Sequence, residues 1–167
     1  MTVIKKPKFT LLELIVIVCV VAILAILALF WLNKAREGAR RICCTSNLCM
    51  IGLSLRMYSQ NNNNEFPNMP GRAGFEMLRS DVYHYTCPST KDKIPTNGND
   101  LRASQVSYMY ACALNEATSV DSGLARDRDT NHSKYGNVLF VDGHVEGFAG
   151  ANWTASKNYL GSSNFSY

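Results

Sequence analysis

No proline lies between Lys8 and Phe66, and no charged residue lies between Leu14 and Leu32. The first absence removes the residue that most reliably breaks a helix. The second leaves 19 consecutive uncharged residues, which at about 1.5 Å of rise each approach the roughly 30 Å of a bilayer core. A wholly soluble chain is therefore not expected. A cleavage site of the small-x-small kind is also missing after this run, where Phe30-Trp31-Leu32 stands instead. With its apolar core also longer than a secretory signal's, the segment is expected to be retained. Charge is scarce, at 18% of residues, and what basic excess exists is local: residues 1–41 hold seven Lys and Arg against two Glu, and the rest hold ten basic against eleven acidic residues. The net charge of +4 thus comes from the flanks of the apolar run. A phosphate-tracking surface needs Lys and Arg clustered on a folded part, so nucleic acid is not an expected partner. No internal repeat is present.

What is present first is one long helix. Apolar residues 9–32 form its membrane half, with Trp31 placed as an interfacial aromatic. Beyond it Ala35, Ala39 and Ile42, then Cys44, Leu48, Ile51, Leu55 and Tyr58, keep steps of three and four, one apolar stripe on an amphipathic helix over 33–62. Gly38 and Gly52 weaken it locally. Four asparagines at 61–64 and then Pro67 end it.

Residues 63–167 are turn-rich and read as a β-rich head. Val106–Ala113 is predicted as a strand. Asp142-Gly143 sits between two β-prone runs, which predicts a two-residue type I′ hairpin. That register pairs Phe140 with Val145 on one face, and Val141 with His144 and Leu139 with Glu146 on the other. Gly161–Tyr167 reads as a loose polar tail. The fold class is α+β, with the helix's water-exposed half packed on an antiparallel sheet.

Six cysteines are present. Cys19, in the membrane run, is a small apolar residue. Cys43, Cys44, Cys49, Cys87 and Cys112 would face an oxidising compartment, where one or two bridges are expected and at least one thiol stays free. Several pairings are open; a Cys44–Cys87 bridge is the expected one, because Cys44 lies on the core-facing stripe. A Cys87–His132 nucleophile pair is the alternative, and it lacks an orienting third group and an oxyanion site.

Phe9-Thr-Leu-Leu-Glu13 behind a basic leader resembles the N-terminal signature of type IV pilins and type II secretion pseudopilins. The stretches Ala35–Leu48, Ile51–Tyr58 and Phe66-Pro67 are similar to a large bacterial group of pilin-like proteins, and Cys87-Pro88-Ser89 is a weaker echo. That group also carries a His, nine residues, then Asp-Gly, matched here by His132 and Asp142-Gly143. The resemblance implies a structural subunit of a pilus or pseudopilus in the bacterial inner membrane and periplasm, with no catalysis and no cofactor. Its partners would be its own copies, related minor pilins, a prepilin peptidase and an assembly machine. It also implies leader removal between residues 8 and 9. Where the group has Gly before the cut this chain has Lys8, a bulky cation expected to hinder processing and N-methylation of Phe9. A chain left unprocessed would be a signal-anchored periplasmic interaction domain.

Glu13 is given two roles that coexist. The resemblance assigns it to neutralising a neighbouring subunit's amino group during assembly. Locally, Thr10-Leu-Leu-Glu13 fits a capping box. For the His132 and Asp142-Gly143 pattern the structural reading is preferred. No metal is expected; the residues that would hold one are His132, Asp142 and His144, with His84 as a further ligand.

Overall fold

The structure, a computed structural model, describes residues 10–78, 81–96, 101, 105–150, 153 and 165–166. Lys8 and Phe9, the expected processing site, lie outside the described residues. The fold is α+β and pilin-like: a long N-terminal helix with an apolar first half, and an antiparallel sheet. The chain divides into two compact units, Met1–Gly38 and Ala39–Tyr167. The boundary falls inside the helix.

Helix α1 (Leu11–Gln60) runs 50 residues, as the missing prolines allow. It starts at a capping residue: the Glu13 amide donates to Thr10 Oγ1 at 3.3 Å, filling one of the donors that a helix start leaves open. It stops in the asparagine run. Asn61 and Asn62 turn their side-chain amides back to Met57 O and Tyr58 O at 2.7 and 2.8 Å. Asn63 and Asn64 take φ of 55° and 62°, a left-handed conformation that asparagine tolerates better than most residues.

In the second unit α1 contributes Cys44, Leu48, Ile51 and Leu55 to the core, all fully buried. Tyr58 is only half-buried and Ser59 closes the stripe instead. The stripe is also shorter than its spacing predicts, for Ala35, Ala39 and Ile42 are exposed. At that level the head meets the helix through polar and aromatic groups: Thr45 Oγ1 donates to Asn137 Oδ1 at 3.0 Å, and Arg41 lies over the Tyr135 ring at 4.4 Å. Gly52, which weakens the helix in isolation, is where it comes closest to the sheet. A Cβ there would stand 2.8 Å from Leu139.

A short helix α2 (Arg72–Glu76) and a 3-10 turn (Val82–Tyr85) precede the sheet. The strands are β1 (Tyr108–Ala111), β2 (Gly123–Asp127), β3 (Tyr135–Phe140), β4 (Val145–Ala149) and β5 (Phe165–Ser166), in the order β4-β3-β2-β1-β5 with every pairing antiparallel. Alternation along β3 divides the side chains. Leu139 and then Val141 join the large core with the helix stripe, Phe75, Tyr85 and Tyr110. Val138 and Phe140 join a smaller cluster with Trp153 on the other face.

Three expectations are corrected. The predicted strand 106–113 is shorter, ending before Ala113, whose φ is 63°. The tail expected to be loose contains β5, which pairs with β1 through Ala111↔Phe165 and Tyr110↔Ser166; the apolar Phe165 ring packs on both clusters. The hairpin register is moved by one residue. Leu139 faces Val145 and Val138 faces Glu146, while Gly143 N donates to Phe140 O and Phe140 N to His144 O, both at 2.9 Å. This is a three-residue loop, Val141-Asp142-Gly143, with only Gly143 (φ 93°) left-handed: a type I turn closed by a glycine bulge rather than type I′. One residue of slip exchanges the faces, so Leu139 and Val145 reach the core and His144 stacks on Phe140 at 4.3 Å.

Candidate functional site

The first candidate is the apolar half of α1. From Leu11 to Leu32 every residue is exposed, and this stretch is long and apolar enough to cross a membrane. Monomeric proteins seldom leave apolar patches beyond a few hundred Å² open; lipid or protein must cover this one. Glu13 is the one charge inside it, at an energetically costly position that marks function by default.

The second candidate lies in the core of the head. Cys44 of α1 and Cys87 are joined by a disulfide with Cα atoms 5.6 Å apart, closing a 43-residue separation. Several bonds position Cys87: Asn47 on α1 donates to Thr86 O at 3.1 Å, Thr86 Oγ1 to Gln105 O at 3.1 Å, and Ser107 N to Tyr85 O at 2.8 Å. Against the bridge stands His132, its Nε2 3.6 Å from Cys87 Sγ and 3.9 Å from Asp127 Oδ2. The side chains of His132 and Asp127 are fully buried. Asp127 is the polar centre: Oδ2 accepts from Asn137 N at 2.7 Å and Asn137 Nδ2 at 2.9 Å, and Oδ1 accepts from Asn131 Nδ2 at 3.0 Å. Burial pushes its carboxyl above the ordinary range, against the pull of Asn137, Asn131 and His132. With Cys87 in a disulfide and His132 sealed in the core, the Cys87–His132 pair is built as interior rather than as an open nucleophile.

The third candidate is the hairpin tip. Asp142 Oδ1 accepts from His144 N at 3.0 Å and meets His144 Nδ1 at 2.5 Å. Arg56 of α1 donates to Asp142 O. Slight burial acts upward on the Asp142 carboxyl, but the hydrogen bonds and charge of His144 and then Arg56 outweigh it and hold the group below the ordinary range. Its stabilising part is therefore present above the unfolded pKa and is lost as pH falls through the folded one.

The His-x9-Asp-Gly pattern is thus split by the fold. His132 joins Cys44 and Cys87, the one group of potential metal ligands among the described residues, while Asp142 and His144 lie at the exposed tip and His84 sits on the 3-10 turn. Replacing Gly143 by valine is expected to cost about 1 kcal/mol or more, because the left-handed φ is forced on a branched residue and its Cβ would crowd Arg56 at 3.1 Å. Asp142→Asn, which keeps the turn and gives up only the charge of an exposed carboxylate, is expected to lower the melting temperature slightly, and equally with or without calcium or zinc. A cation-dependent loss in Asp142→Asn would overturn the turn reading. Sequence reasoning missed Asp127 and Asn137. Neither carried a spacing signal; an Asp in the charge run Arg126-Asp127-Arg128-Asp129 reads as surface.

A family described as a protein of unknown function, DUF1559, matches residues 33–83, which takes in the buried stripe but not Glu13, Cys87, His132 or Asp142-Gly143. No curated protein and no solved structure matches the chain.

Proposed function

We propose that this chain is a non-catalytic structural subunit of a pilus or secretion pseudopilus, anchored in the bacterial inner membrane and assembling with its own copies and related minor pilins through the apolar half of α1. The observation that carries the proposal is the exposed run from Leu11 to Leu32 with Glu13 as its single charge. Lateral packing of such half-helices would cover the apolar surface, and the carboxylate would find its counter-charge on a neighbour's freed amino group. The pilin-like fold and the stretches resembling that group support the same reading.

Cys19 offers a built-in reporter, since it is exposed in the middle of that run. Mild oxidation of native membranes is expected to give Cys19-dependent dimers from the unaltered chain and several-fold fewer from Glu13→Val. Lys8→Gly, with a prepilin peptidase co-expressed, is expected to raise both the fraction shortened by eight residues and the dimer yield. A chain that stays full-length and uncrosslinked in both backgrounds would overturn the proposal in favour of a signal-anchored interaction domain.

A further inference from the structure

The buried Cys44–Cys87–His132 centre has a second chemical state open to it. Two sulfurs and one imidazole nitrogen lie within 4.8 Å of one another, with a carboxylate 3.9 Å from the same nitrogen. A tetrahedral zinc site with bonds of about 2.3 Å to sulfur and about 2.0–2.1 Å to nitrogen or oxygen separates its ligand atoms by roughly 3.3–3.8 Å. The 3.6 Å from Cys87 Sγ to His132 Nε2 falls in that range, and the 3.9 Å to Asp127 lies just outside it. Three hydrogen bonds already reach Asp127, two on Oδ2 and one on Oδ1; of a carboxylate's roughly four lone-pair positions the open one is on Oδ1, so ligation uses that oxygen or displaces Asn137 from Oδ2.

We propose that the reduced form of this centre is a zinc-class metal site, with Cys44, Cys87 and His132 as ligands and Asp127 as the fourth. The disulfide and the metal site are mutually exclusive states of the same two sulfurs, because the thiolate is the ligand. Passage between them balances with a trialkylphosphine as reductant. The S–S bond takes up two electrons and breaks, the two sulfurs acquire two protons from a water molecule, and its oxygen leaves as phosphine oxide. Zinc(II) then binds without redox change as each thiol releases its proton and His132 supplies a neutral nitrogen. A bound dication would offset the cost of holding the Asp127 carboxylate in the core. The same cation would occupy the thiols that oxidation needs, so metal loading of a newly made chain would delay the bridge.

The test uses the full-length chain in detergent with Cys19, Cys43, Cys49 and Cys112 changed to serine, leaving Cys44 and Cys87 as the only sulfhydryls. After phosphine reduction, cobalt(II) is expected to produce thiolate-to-metal charge-transfer absorption in the near ultraviolet, saturating at one ion per chain and displaced by zinc. The oxidised chain should show none. Asp127→Asn and His132→Gln are each expected to weaken binding by more than the roughly 10–100-fold that loss of an outer-shell partner costs. Because either variant can unfold, a second measurement uses the unaltered chain: zinc is expected to slow alkylation of reduced Cys44 and Cys87, resolved by peptide mass, at least about tenfold relative to exposed Cys49. Absence of the charge-transfer band, or equal alkylation rates with and without zinc, would overturn the proposal. Neither result bears on whether α1 assembles.

Discussion

Replacing Asp127 by leucine is expected to unfold the head. The carboxylate accepts three hydrogen bonds from Asn131 and Asn137 in a site with no exposure. Leucine fills a similar volume and accepts none of them, so three buried donors lose their partner at about 1–3 kcal/mol each. The sum rivals the roughly 5–15 kcal/mol that holds a whole domain together. Asp127→Asn keeps one acceptor oxygen and should lose much less. The measurement is denaturant unfolding followed by the fluorescence of buried Trp153, in a Trp31→Phe background so that one indole reports. Near-equal midpoints for the leucine variant and the parent chain would show that the network contributes nothing to folding.

Leu48→Ala and Leu55→Ala come next in size. Both side chains are fully buried between α1 and the sheet, and cavities of this kind cost about 2–5 kcal/mol. Leu53 is 54% exposed on the same helix, and its change to alanine should stay within about 0.5 kcal/mol. All three leucines have the same helix propensity, so the contrast isolates burial. Arg56, one turn from Leu53, would not serve as such a control, since it holds Asp142 O at the hairpin.

How much of this was legible follows from where the information sits in the chain. The helix could be read because its signals are local and repeated: missing prolines, steps of three and four from Cys44 to Leu55, asparagines at the exit. The turn at Asp142-Gly143 was equally local, but two loop lengths share that dipeptide, and only packing against the helix decides which residue faces inward. Strand β2, Gly-Leu-Ala-Arg-Asp, escaped altogether. It is buried on both faces, so it lacks the alternation of a half-exposed strand. Its two charged residues are tolerated because distant partners meet them: Arg126 lies 5.4 Å from the Trp153 ring and 5.3 Å from Phe165, and Asp127 meets Asn131 and Asn137. The candidate site was half visible for the same reason. Cys44, Cys87 and His132 are residue types that attract notice; Asp127, which organises them, does not.

The contacts between α1 and β3 set a length. Thr45 meets Asn137, Gly52 meets Leu139, and Arg56 meets Asp142, so helix and strand advance in the same direction side by side. Eleven helical residues from Thr45 to Arg56 rise about 16.5 Å; the three strand steps from Asn137 to Phe140 cover about 10 Å at roughly 3.3 Å each, and the hairpin loop carries Asp142 on to Arg56. In this chain the stretch from His132 to Asp142-Gly143 is thus held at points along the helix rather than by a chemical pairing of its ends. One end is moored at Cys44 through the buried sulfurs and the other at Arg56 through the turn. Adding a single residue to β3 would shift one mooring by about 3.3 Å and turn every side chain beyond it to the opposite face. A single addition to the helix between them would instead rotate Arg56 by about 100° away from the turn.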